Sequence, residues 1–98
     1  MIFTLEEIRT RLFPVMEKNN VDRAVLFGSY SQGKATENSD IDLMVESHLH
    51  GLDFFGLVED IRECLDDKEV DVIDLRDIVP NSPIDKEIRA TGVELYVE

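Results

Sequence analysis

The chain has 98 residues, of which 22 are Asp or Glu and 10 are Lys or Arg, giving a formal net charge of −12. That length fits one domain with a single thin core, and 43% apolar with 33% charged residues is the composition of a folded chain, not of a disordered acidic tail. The acidity excludes a broad DNA- or RNA-binding surface, which would neutralise phosphates with Lys and Arg, and points instead to metal ions or a basic protein partner.

No stretch approaches the roughly 18 consecutive apolar residues of a membrane span, and the opening MIFTLEEIRT lacks the basic and apolar regions of a signal peptide. A cytoplasmic protein with no membrane association is expected. Cys64 stands alone, so no internal disulfide can form, and it reads as a small hydrophobe on a helix.

Thr4 and Glu7 have the spacing of a capping box, and Leu5, Ile8, Leu12, Val15 and Met16 recur at three- and four-residue steps. They predict an amphipathic helix to about Lys18, with Pro14 kinking or locally breaking it and Asn19-Asn20 closing it. Arg23-Ala24-Val25-Leu26-Phe27 reads as a buried strand ending in the turn Gly28-Ser29, after which residues 29–33 fit one helical turn. Residues 40–45 read as a second strand whose alternation sets Asp40 and Asp42 on one face and Ile41 and Leu43 on the other. Asp53 is placed to cap a helix carrying Phe54, Leu57, Val58, Ile61 and Leu65 on one stripe. Residues 70–75 form a third predicted strand. Ser82, Pro83 and Asp85 open a further helix, Gly92 is read as its left-handed C-terminal cap, and Val93–Val97 as a last strand. The order α-β-β-α-β-α-β predicts an α/β (α+β) fold, a mixed sheet of about four strands with helices packed on it.

The informative feature is Gly28-Ser29 followed by Asp40-Ile41-Asp42. Gly28 removes the Cβ that would hold a phosphate off the backbone, Ser29 offers a hydroxyl, and free N–H groups at a helix start favour an anion. Asp40 and Asp42 lie one strand repeat apart, about 6.5–7 Å between Cα atoms. That spacing suits two divalent ions about 3.5–4 Å apart. Two ionised carboxylates on one sheet face repel each other, so a cation is their natural companion. Asp71 and Asp74 fall on opposite faces of the third predicted strand. Periodicity does not choose between them, because each shares a face with two apolar residues of the strand. His48 and His50 have no third His or Cys to complete a zinc site and read as loop residues.

The run Leu26-Phe27-Gly28-Ser29-Tyr30, continuing to Asn38-Ser39-Asp40-Ile41-Asp42-Leu43, resembles the signature of the nucleotidyltransferase superfamily typified by DNA polymerase β. It is most similar to the minimal nucleotidyltransferases, or MNT proteins, that act as antitoxins in HEPN/MNT toxin–antitoxin pairs. The resemblance extends over essentially the whole chain as a single minimal nucleotidyltransferase domain. It implies a polymerase β-like fold in which Gly28 and Ser29 bind the triphosphate of ATP and Asp40 and Asp42 hold two Mg²⁺ ions. A third acid, placed at Asp71 by the family's motif, would join one metal and help deprotonate the attacking hydroxyl.

The family often carries a basic residue in the phosphate turn, where this chain has Ser31-Gln32-Gly33. Charge neutralisation then falls to Mg²⁺ and Lys34. The activity implied is transfer of AMP from ATP to a hydroxyl with release of pyrophosphate, the acceptor being a tyrosine of a HEPN partner, an RNase toxin. The alternative is a catalytically weak or inactive MNT module that neutralises its partner by complex formation. Neither reading involves direct binding of nucleic acid.

Overall fold

The computed structural model of the protein describes residues 2–98. The first helix, α1 (Leu5–Lys18), begins at a reciprocal capping box. The Thr4 N–H donates to Glu7 Oε1 at 2.8 Å and the Glu7 N–H to Thr4 Oγ1 at 3.1 Å. Its buried face is Ile8, Leu12 and Met16. The helix runs on through Pro14, so the local break that the sequence allowed does not occur. Thr10 and Pro14 both lie on the exposed side, so water can solvate the carbonyl that Pro14 leaves unpaired while the apolar face holds the helix to the sheet. Asn19 closes the helix as expected, its Nδ2 donating to the Val15 carbonyl at 2.9 Å, and Asn20 takes a φ of 54°.

Among the described residues the strands are β1 (Arg23–Phe27), β2 (Ile41–Glu46), β3 (Val70–Asp74) and β4 (Val93–Val97). Helix α2 (Gly51–Cys64) joins β2 to β3, and α3 (Pro83–Thr91) precedes β4. They form one mixed sheet in the order β3-β2-β1-β4, with β1 antiparallel to β2 and β4, and β2 parallel to β3. One face packs on α1 and α2 through Leu26, Ile41, Leu43, Val45 and Val70 against Ile8, Leu12, Leu57 and Ile61. The other face, with Val25, Phe27 and Met44, is covered by Ile84 and Ile88 of α3 and by Ile78. This two-sided burial explains why β1 reads as a continuous apolar run.

Several boundaries differ from expectation. β2 starts at Ile41, and Asp40 stands in the preceding loop. Helix α2 begins two residues before Asp53, with the side chain of His50 at the cap position making no bond to the helix start; Asp53 instead lies in the first turn, where its charge faces the helix dipole. Leu75 leaves β3 and starts a 3₁₀ turn, Leu75–Asp77. Gly92 is extended (φ −63°, ψ 134°), not left-handed. A glycine is needed there because a Cβ would lie 2.4 Å from the Ile88 carbonyl oxygen and 2.9 Å from Val25 Cγ1. Ser82 caps α3 as expected, accepting from the Asp85 N–H at 3.3 Å.

Candidate active site

β1 delivers the chain into the Gly28 turn with a φ of +77°, a conformation that favours glycine. The space a side chain would need is already filled, because a Cβ on Gly28 would sit 2.5 Å from Asp42 Oδ2. The glycine therefore lets the Asp42 carboxylate lie across the end of β1. Its N–H donates to Thr91 Oγ1 at 3.1 Å, and its carbonyl accepts from Ser31 Oγ at 2.8 Å and Gln32 Nε2 at 3.2 Å.

Residues 29–33 form hydrogen-bonded turns and not an α-helical turn. The Ser29 carbonyl accepts from the N–H of Gln32 at 3.2 Å and of Lys34 at 2.9 Å. The N–H groups of Ser29, Tyr30 and Ser31 bond to no other described residue, a run of donors suited to a phosphate. Tyr30, 5% exposed, buries its ring beneath the turn. Lys34 is exposed at the end of the turn.

Asp42 and Asp71 are direct partners in the parallel β2–β3 ladder, so they share a sheet face on neighbouring strands. Burial pushes the pKa of half-buried Asp42 up to about 6, with further upward pressure from the charges of Asp71, Glu87 and Asp40. No Lys or Arg among the described residues forms an ion pair with any of these four carboxylates. Asp42, Asp71 and Glu87 line an open hollow of about 480 Å³ that Arg62, Phe27 and Ile84 also border. Asp40 is exposed in the loop just before β2, near enough for its charge to add to the upward pressure on Asp42.

Asp74 has a different environment. It is 2% exposed on the opposite face of β3, where Oδ2 accepts from Ser47 Oγ at 2.8 Å and Oδ1 from the Arg76 N–H at 3.0 Å. These bonds make it a brace between the end of β2 and the 3₁₀ turn. Cys64 donates its thiol to the Ile61 carbonyl at 3.1 Å, and burial pushes its pKa up to about 11, as fits a packed and unreactive side chain. His48 pairs with Asp22 at 3.1 Å, and His50 lies 3.4 Å from an Arg76 guanidinium nitrogen.

Residues 11–98 match the polymerase β nucleotidyltransferase family. The chain belongs to this family. The nucleotidyltransferase is 38% identical over 78 residues to "Putative protein adenylyltransferase MJ0435" of Methanocaldococcus jannaschii, covering 78% of this chain and 83% of that protein. Its fold matches a chain in a crystal structure of a toxin–antitoxin with AMP-PNP, with a TM-score of 0.75, 28% identity and coverage of 92% of this chain and 73% of the other. It also matches the structure of a "putative minimal nucleotidyltransferase", with a TM-score of 0.74, 27% identity and coverage of 93% and 95%.

The donors of this nucleotidyltransferase fit Mg²⁺ in kind: hard carboxylate oxygens, crowded enough to raise one pKa and unpaired with basic side chains. No group of three or more His, Cys, Asp or Glu among the described residues is already placed to hold a metal. That is the usual arrangement for Mg²⁺, which takes one or two carboxylates and completes its shell with water and substrate phosphates. Glu87 and Thr91 were missed in the sequence. Both lie on α3 one helical turn apart, with the Thr91 hydroxyl donating to the Glu87 carbonyl at 2.9 Å. Only the packing of α3 beside β1 brings them to the Gly28 turn and the acids.

Proposed function

We propose that the chain transfers AMP from ATP, with Mg²⁺, to a tyrosine hydroxyl of a HEPN-family protein and so acts in the cytoplasm as that protein's antitoxin. The observation that carries this reading is the pairing of Asp42 with Asp71 across one ladder rung, with the Asp42 carboxylate lying against the Gly28 turn. The adenylyltransferase relative and the toxin–antitoxin structure with AMP-PNP supply the reaction and the kind of partner. The net charge of −12 argues for a protein acceptor over direct contact with nucleic acid.

In this reading the N–H groups of Ser29, Tyr30 and Ser31 and the Ser29 hydroxyl bind the triphosphate, with Lys34 at the mouth of the turn. Asp40, Asp42 and Asp71 would hold two Mg²⁺ ions. When bound, Mg²⁺ supplies charge stabilisation on the triphosphate and lowers the pKa of the acceptor hydroxyl. A carboxylate oxygen of Asp71 takes the hydroxyl proton as the acceptor oxygen bonds to the α-phosphorus. The bond from that phosphorus to its bridging oxygen breaks, and pyrophosphate leaves. The protein's own share is to align the three groups.

A second reading has one observation in its favour. The uncharged Gln32 amide is turned back onto the Gly28 carbonyl, which leaves exposed Lys34 as the basic residue of the phosphate turn. On that reading the chain neutralises its partner by binding alone. Incubating the protein with α-labelled ATP, Mg²⁺ and the protein encoded beside it separates the two. Label on the partner that is lost in Asp40→Asn, Asp42→Asn and Asp71→Asn supports transfer. An intact complex without label supports binding alone.

A further inference from the structure

The hollow beside the acids touches both faces of one strand. Asp71 and Ile73 border it on the α3 side of the sheet, while Val72 borders it with Val58 and Arg62 of α2. Successive side chains of a strand point to opposite faces, so a single hollow that reaches both Asp71 and Val72 must run past the edge of β3. β3 is indeed the terminal strand of the sheet. The Glu69 carbonyl accepts from the Ile41 N–H at 3.0 Å, and the alternation of a parallel ladder then turns the N–H and C=O of Val70 and Val72 away from β2. Among the described residues nothing bonds to those outward groups, and since Val70 is 1% exposed and Val72 half-buried, the groups that the edge presents are those of Val72.

The two edges of the sheet are finished differently. At β4 the Arg9 guanidinium donates to the Glu94 carbonyl at 3.3 Å, and a register shift interrupts the pairing with β1. Both are ways of blunting an edge. β3 pairs with β2 in unbroken register and carries no Lys or Pro. It is open at Val72, directly beside the carboxylates.

We infer that the edge of β3 at Val72 is where the acceptor docks: an extended segment of the partner, with basic residues flanking its hydroxyl, pairs with the outward N–H and C=O of Val72 and lays that hydroxyl beside Asp71. The inference rests on the transfer reading above and says how the acceptor is held. Backbone pairing supplies affinity with little demand on sequence, and strand alternation sends every second side chain toward the acids. Charge selects the occupant. Asp42, Asp71 and Glu87 face the hollow against the lone Arg62, so lysine or arginine flanks are attracted and acidic flanks repelled. A second copy of this chain, with its net charge of −12, is the wrong occupant on the same ground.

Random copolymers of lysine with tyrosine and of glutamate with tyrosine present the same phenolic hydroxyl on oppositely charged chains. With α-labelled ATP and Mg²⁺ at low salt, the protein should label the lysine copolymer at least about tenfold faster than the glutamate copolymer. Val72→Pro removes an outward N–H that the β2 ladder does not use. It should raise KM for the lysine copolymer roughly tenfold, the loss of a well-made hydrogen bond, while leaving calorimetric affinity for Mg²⁺ and AMP-PNP unchanged. Hydrogen exchange at the Val72 amide of the wild-type chain, slowed by the lysine copolymer, reads the edge directly and stands alone if Val72→Pro fails to fold. Labelling without that protection, or equal KM in a folded Val72→Pro variant, overturns the docking strand. Equal labelling of the two copolymers overturns the basic flanks. Protection without labelling supports the edge and refutes the transfer reading, and the absence of both refutes both.

Discussion

The Asp42 carboxylate is held at a cost that one substitution should recover. Its pKa is raised from 3.8 to about 6, first by burial and then by Asp71, Glu87 and Asp40. A displacement of that size would correspond to about 3 kcal/mol for a fully buried group. Asp42 is half-buried, so solvent screening reduces the penalty to about 1 kcal/mol. In Asp42→Asn the shape is kept and the charge removed, so the metal-free variant should be more stable than wild type by about that amount near neutral pH, or roughly 4–8 °C in Tm for a domain of this size.

The pH dependence follows from the direction of the shift. Between about pH 4 and pH 6 the native state holds a proton on Asp42 that the unfolded chain has lost, so wild-type stability falls as pH rises through that window. The gap between variant and wild type should therefore be fully open above about pH 6 and closed below about pH 4. Urea denaturation in EDTA across that range measures it. A gap of the same size at about pH 4, or a variant no more stable than wild type near neutral pH, would show that charge is not what strains this site. Added Mg²⁺ should stabilise the wild type and leave Asp42→Asn nearly unchanged.

Gly28→Ala should destabilise the fold by about 1–3 kcal/mol because of the +77° φ, and should weaken nucleotide binding because its Cβ drives Asp42 Oδ2 aside; thermal melts and titration with Mg²⁺ and AMP-PNP test the two effects separately. Asp74→Ala and Asp71→Ala should behave oppositely. The first strands the buried Ser47 hydroxyl and costs about 1–3 kcal/mol while sparing transfer in whatever remains folded. The second removes a like charge opposite Asp42, leaves the melt unchanged or raised, and abolishes transfer to the partner. Cys64, with its pKa pushed up to about 11, should react with iodoacetamide at least about a hundredfold more slowly than free cysteine at about pH 8 in the native protein, and at the ordinary rate in urea.

What was legible in the sequence is what depends on neighbours along the chain. The Thr4–Glu7 box, the Ser82 cap and the limits of β1 all come from residues within a few positions of each other, and the structure agrees with them. The Gly28 turn and the strand that carries Asp42 were visible for the same reason, with Asp40 falling just before that strand. Where expectation failed, a distant partner decides. Gly92 was read from conformational preference, but it is required by the Ile88 carbonyl and the Val25 side chain. Asp71 and Asp74 are equivalent by alternation, and they become distinct only because α2 covers one face of β3 and leaves Asp71 with Asp42 on the other. Glu87 had no local signal, since its place depends on which strand α3 packs against.

The location of the site follows from a shortage of helix. A sheet whose first strand is apolar on both faces needs cover on both, and the face opposite α1 and α2 is covered by the nine residues of α3. That helix reaches Val25, Phe27 and Met44, and it leaves the start of β2 and the edge strand β3 open. Charged side chains can reach water there, and this chain puts carboxylates in direct register, an arrangement that destabilises the bare fold. The same repulsion gives a cation something to relieve. A ligand present at a hundredfold excess over its dissociation constant stabilises the native state by about 2.7 kcal/mol. An Mg²⁺ titration of Tm in wild type and Asp42→Asn thus measures, on one scale, what the acids cost when bare and what they contribute when occupied.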